Sequence, residues 1–275
     1  MYRDRILPLR WSFDSRLSSN PEVTSGQRTR LRRASAGVTA VLLISALALM
    51  SIALWTDWDL RLADRAFDGA ANVFPLRHAW LTETFNHVIL KRVFVTLALI
   101  VWIAVLWDLA SPRAWGWLRR FQLRVIALSA LLVPTAISIL KQASDSHCPW
   151  DLARYGGTEP YVGLFEHLPA GIVPGHCMPG GHASSALWMI SVSILFIPYR
   201  LLHAALALAA LLMLGVGVGW LQQLRGAHFL THTLWSAWIS LFIVFLIAIC
   251  LDRWPTRQFT GQRQPKQISQ NNPGI

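Results

Sequence analysis

Long uncharged runs leave this chain few ways to fold. From Gly37 to Trp55 no residue carries a charge, and a helix of about twenty such residues crosses ~30 Å of hydrocarbon at 1.5 Å per residue. Comparable runs follow at Val93–Trp107, Val125–Leu140, His182–Pro198, Ala204–Trp220 and Thr233–Leu251. Hydrophobic residues make up 54% of the chain and charged residues 14%, a balance that excludes an ordinary soluble domain of this length. The expected fold is an all-α, polytopic membrane bundle of about six transmembrane helices.

The formal net charge of +11 would suit nucleic acid if it lay on one soluble face. Instead the cations gather in the tails and short connections. Arg28, Arg30, Arg32 and Arg33 precede the first run, Arg113, Arg119, Arg120 and Arg124 lie between the second and third, and Arg200 lies between the fourth and fifth. Basic connections stay on the cytoplasmic side. Both termini are thus expected inside, with basic tails over 1–35 and 253–275 flanking a membrane domain over 36–252. The first tail is expected to be a retained, largely disordered segment, since it lacks a signal-cleavage pattern. Thr56–Lys91, with Leu60, Ala63 and Phe67 at helical spacing, reads as an interfacial connector. The setting expected is a bacterial inner (cytoplasmic) membrane, with membrane lipids as surroundings and no nucleic-acid partner.

This orientation brings Lys141–Gly181 and Leu221–Thr231 out on the opposite, periplasmic face. Long interior loops are usually functional, and these two carry three polar clusters: Lys141 with Cys148, Pro149, Asp151 and Arg154; Pro179-Gly180-Gly181-His182; and Arg225-Gly226-Ala227-His228 with His232. Gly180 and Gly181 stand where a polar loop gives way to an apolar run. That place should be a helix mouth, where free N–H groups and the positive end of the helix dipole favour an anion. Cations, a helix mouth and two imidazoles suit phosphoryl transfer: one imidazole attacks phosphorus and another protonates the leaving oxygen. No acidic cluster for Mg²⁺ is apparent, so neither cofactor nor metal is expected. Zinc bound by His182, His228 and His232 is the competing reading. His78, His87, His167 and His203 lack such company and read as surface or interfacial.

The three clusters resemble the type 2 phosphatidic acid phosphatase (PAP2) superfamily. Its signature is Lys-x6-Arg-Pro, then Pro-Ser-Gly-His, then Ser-Arg-x5-His-x3-Asp. Here the first becomes Lys141-x6-Cys148-Pro149, the second Pro179-Gly180-Gly181-His182, and the third ends in His228-x3-His232. Over roughly 37–251, order and spacing look like that family. The resemblance implies a membrane phosphatase or phosphotransferase for a lipid phosphate or pyrophosphate. His228 would be the nucleophile, His182 the acid, and Lys141 a ligand of the phosphate, held also by Gly180 and Gly181.

Four positions depart from the pattern: Cys148 replaces Arg, Gly180 replaces Ser, His232 replaces Asp, and Gln222 occupies the usual Arg register. Arg225, one helical turn after Gln222, and Arg154 are the expected substitute cations. His232 would accept a hydrogen bond from His228 as Asp does, or Asp151 or Glu166 would orient it instead. Cys148 and Cys177, in one extracytoplasmic loop, are expected to form a disulfide tying the first motif to the second. The alternative function is a non-catalytic membrane protein that keeps the scaffold with altered motifs.

Overall fold

A computed structural model describes residues 21–111, 115–164 and 166–253. Among these residues the structure is helical: α1 (Pro21–Trp55), α2 (Trp58–Ala66), α3 (Leu81–Ala110), α4 (Trp117–Gln142), α5 (Gly181–Phe196), α6 (Leu201–Leu224) and α7 (Leu230–Arg253). Helices pair every backbone group within the segment, which hydrocarbon requires. Five of them are long and apolar enough to cross a membrane, taking Ser35–Trp55 of α1 and Leu81–Ala110, Trp117–Gln142, Leu201–Leu224 and Leu230–Leu251.

The sixth run, expected from His182 to Pro198, forms the shorter α5, which is α-helical through Leu187 and 3₁₀ from Trp188 to Phe196. A 3₁₀ turn rises about 2.0 Å per residue, so α5 reaches about 28 Å, close to a bilayer core despite its length. Two more expectations are revised. Residues 21–35, read as disordered, continue α1. The connector expected over Thr56–Lys91 gives up its last eleven residues to α3, ten of them, Leu81–Leu90, π-helical. The rest of the two basic tails and Arg113 lie outside the described residues.

α4 is the hub. Its Val125, Ile126, Ala130, Val133 and Ile137 pack on Trp188 and Ile194 of α5 and Ile247 of α7. α6 closes on the same group through Gly215 and Gly219, one turn apart. A Cβ at Gly215 would stand 2.4 Å from Leu187 Cδ2, and one at Gly219 would stand 2.3 Å from Thr233 Cγ2. Small residues at this spacing let membrane helices approach closely. α1 stands outside, with Val41, Ile44 and Leu47 exposed as a lipid-facing row.

The connections 67–80, 143–180 and 225–229 meet at one end of the bundle. Arg154 grips Asp64 of α2 with two hydrogen bonds of 2.8 Å, and Tyr155 Oη donates to the same carboxylate at 2.9 Å. Asp59, buried on α2, accepts from the Thr231 N–H at 2.9 Å and from the Thr231 hydroxyl, capping the start of α7 as a side-chain oxygen at a helix N-terminus does. Trp150 N–H donates to the Gly226 carbonyl at 3.0 Å. Phe67, Phe74 and Tyr155 form an aromatic cluster between these segments. α2 is therefore amphipathic, as its spacing suggests, and also a clamp on the loops that carry the three motifs.

Candidate active site

Lys141 occupies the last turn of α4, where the helix leaves its apolar surroundings. Facing it, α5 begins at Gly181 with Gly180 as its cap, so the expected helix mouth is present. A Cβ on Gly181 would lie 3.8 Å from Lys141 Cδ, which places the lysine stem against the mouth. Gly180 has a different part from the expected one: its N–H donates to the His232 carbonyl at 2.9 Å and is already committed, rather than pointing at a phosphate. A Cβ at this position would meet only ordinary contacts, the nearest being the His232 carbonyl oxygen at 3.4 Å and His228 Cδ2 at 3.6 Å.

His228 lies in the short connection between α6 and α7, 6% exposed. Its Nδ1 is 3.4 Å from Cys177 Sγ, and Cys177 is joined to Cys148 by a disulfide with Cα atoms 5.3 Å apart. The bridge therefore sits directly on the imidazole. Burial holds the ring well below its ordinary pKa of 6.5; the positive charges of His232, Lys141 and His182 add to this, and a backbone hydrogen bond at Cys177 opposes it. The physical result is an uncharged, nucleophilic imidazole near neutral pH. Cys148, Cys177 and His228 are also the one grouping with metal-holding geometry among the described residues, but two sulfurs bonded to each other are not thiolate ligands.

His232 does not take the role expected for it. The two rings stand 5.7 Å apart at 66°, and the hydrogen-bond partner of His232 Nε2 is Ser146 Oγ at 3.2 Å. Nor do the proposed substitutes reach His228. Among the described residues no hydrogen bond joins either carboxylate to His228: that of Asp151 is held by a backbone hydrogen bond at Cys148, and that of Glu166 accepts from Gly163 N–H at 2.7 Å. Of the two substitute cations, Arg154 is spent on Asp64, away from the cluster. Arg225 is buried nearby: it donates to Gln222 Oε1 at 3.4 Å and to the Arg77 carbonyl at 3.2 Å, and pairs with Glu83 at 3.6 Å. The one-turn relation to Gln222 holds, but Glu83 competes with any anion for the guanidinium.

His182 opens onto a cavity of 690 Å³ whose polar end is lined by His87, Lys91, Lys141 and His182 and whose walls include Val95, Leu99, Trp102, Leu131 and Trp188. His87 stacks on His182 with centroids 3.9 Å apart and planes 13° from parallel. Neither His87 nor Lys91 was singled out by the sequence. The signal available was the uncharged stretch between Glu83 and Lys91, which extends the second span toward its N-terminus and places His87 inside it, where an ionisable residue is a functional candidate by default.

This end of the bundle thus holds a buried imidazole, a cavity-lining imidazole and two ammonium groups beside an apolar wall, the parts that nucleophilic displacement on an amphiphilic anion requires. A family model for the PAP2 superfamily matches residues 122–255, a range that begins within α4 and includes Lys141, His182 and His228. No curated protein and no solved structure matches the chain.

Proposed function

We propose, from the PAP2 superfamily match over residues 122–255 and the geometry of the site, that this chain is a membrane phosphatase that acts on a lipid phosphate or pyrophosphate through a phosphohistidine. The supporting observation is the cavity that joins His182 and Lys141 to an apolar wall of Leu99, Trp102 and Trp188: one end suits a phosphate and the other an acyl or prenyl chain.

In the first step His228 attacks phosphorus. A P–N bond forms as the P–O bond to the alcohol or phosphate breaks, and His182 gives its proton to the departing oxygen. Water then attacks phosphorus and passes a proton to His182; the P–N bond breaks, which releases phosphate and restores both rings. Lys141 and Lys91 neutralise the nonbridging oxygens. An acceptor alcohol in place of water makes the same residues a phosphotransferase. The charge bias of the connections supports a periplasmic site.

The capture of Arg154 by Asp64 and the pairing of Arg225 with Glu83 favour the second reading, a non-catalytic scaffold, because they leave fewer cations for a substrate. Phosphate release by purified protein from phosphatidate, phosphatidylglycerol phosphate, an isoprenoid pyrophosphate and lipid A, in EDTA, separates the two. Turnover of at least one lipid, unaffected by the chelator, is expected. No release from any member supports the scaffold, and EDTA inhibition reversed by zinc supports metal chemistry.

A further inference from the structure

The ring of His87 and its main-chain carbonyl both meet His182. His182 Nε2 lies 3.4 Å from the His87 carbonyl, and a carbonyl only accepts, so Nε2 carries the hydrogen and Nδ1 is left as the exchangeable site. Lys91 N–H, one turn on, donates to the Val88 carbonyl rather than to that of His87. Leu81–Leu90 is π-helical and Lys91 begins regular α-helix; where i→i+5 pairing changes to i→i+4, one carbonyl near the junction is passed over. Such π segments recur at functional sites.

The second contact is the stacked face. His87 Nδ1 is shielded from solvent and has no hydrogen-bond partner among the described residues. A bare lone pair is cheaper to bury in that way than an N–H, so His87 is the neutral member of the pair. A neutral ring parallel to His182 stabilises an imidazolium there, as an aromatic face does any cation laid on it.

Resting on the phosphatase reading above, we propose that His87 is a positioning residue: it fixes the tautomer and ring plane of His182 so that the proton of the leaving-group acid is aimed at the scissile oxygen. The acceptor is main-chain, so substitution at 87 keeps the hydrogen bond and removes only the stacked face.

The test varies the leaving group. A dodecyl phosphate needs its oxygen protonated, whereas p-nitrophenyl phosphate releases a stable anion and does not. His87→Ala is expected to lower kcat on dodecyl phosphate about tenfold, a modest part of what a general acid supplies, with KM unchanged. On p-nitrophenyl phosphate the single-turnover release of nitrophenolate, which precedes the shared hydrolysis of the phosphohistidine, should slow by less than about threefold, and His87→Phe, which restores a face, should recover most of the loss on the alkyl ester. Equal losses on both substrates, no loss on either, or failure of the Phe variant to recover would overturn the proposal. Absence of hydrolysis of both esters by the unsubstituted protein would instead remove the phosphatase reading, and this inference with it.

Discussion

His228 and His232 lie one helical turn apart in the chain, while His87 and His182 come together across 95 residues. The first pair is buried and meets only edge to face, with His228 Nδ1 against the disulfide and His232 Nε2 on Ser146. The second pair is face to face and lines the cavity. Close sequence spacing therefore produced an edge-to-face contact without a hydrogen bond, whereas the stacked pair at the cavity joins residues far apart in the chain. The difference also divides the labour. A nucleophile gains from burial, which keeps its ring uncharged, whereas a proton donor must reach the substrate and so sits at the cavity.

The largest expected effect falls on the buried pair. His228→Ala should lower hydrolysis at least ~10³-fold, because it removes the proposed nucleophile; His232→Asn should cost far less, measured as kcat on the same lipid. If both variants lose activity equally, the two rings act as a unit and the contrast drawn between them is wrong. At the cavity, His182→Ala should lower turnover of alkyl phosphates ~10²–10⁴-fold, with the single-turnover release of nitrophenolate from p-nitrophenyl phosphate largely spared.

The disulfide separates the pairs in another way, since only His228 touches it. In the chain-entropy view a closed loop of this length is worth ~3–4 kcal/mol, so Cys148→Ala or reduction should lower the thermal midpoint in detergent and weaken turnover of both substrate classes alike. A selective loss on alkyl esters would instead connect the bridge to the acid. Mass spectrometry of non-reduced, alkylated protein checks the bond itself.

The pH profile sharpens the contrast further. Burial holds His228 well below 6.5, so the acid limb of kcat/KM should lie below that pH, the nucleophile staying unprotonated as the medium is acidified. Stability behaves accordingly. Below pH 6.5 the unfolded chain takes up a proton that folded His228 refuses, so its contribution to stability is lost as pH falls through that range. An acid limb at or above 6.5 would mean that His228 is solvated. The smallest effect belongs to the clamp: Asp59→Ala should cost ~1–2 kcal/mol, the value of a lost helix cap, read as a lower melting temperature with the ratio of the two substrate classes unchanged.

Much of the fold was legible because hydrocarbon imposes one rule on every span, and uncharged runs record it directly. The boundaries that failed are instructive. α3 begins at Leu81 rather than Val93 because Glu83 and Lys91 flank an otherwise apolar turn, and the charges at its edges hide its continuity with the span. α5 ends at Phe196 and is 3₁₀ from Trp188 onward, which no apolar count reveals. At the site, Lys141, Gly181, His182 and His228 were legible as types in order along the chain, and the structure assembles them. The roles of Gly180, Arg154, Arg225 and His232 were not, because each is decided by a competing partner: the His232 carbonyl, Asp64, Glu83 and Ser146. Asp64 and Glu83 lie in a connector that seemed merely interfacial.

The central claim is that His228 carries the phosphoryl group. Purified protein turning over p-nitrophenyl phosphate, quenched in alkali where phosphohistidine survives, can be digested and its peptides examined by mass spectrometry. A phosphoryl group on His228 during steady turnover, absent from His228→Ala, is the predicted result; continued turnover with an unmodified His228 peptide, or with phosphate on a different residue, would contradict it.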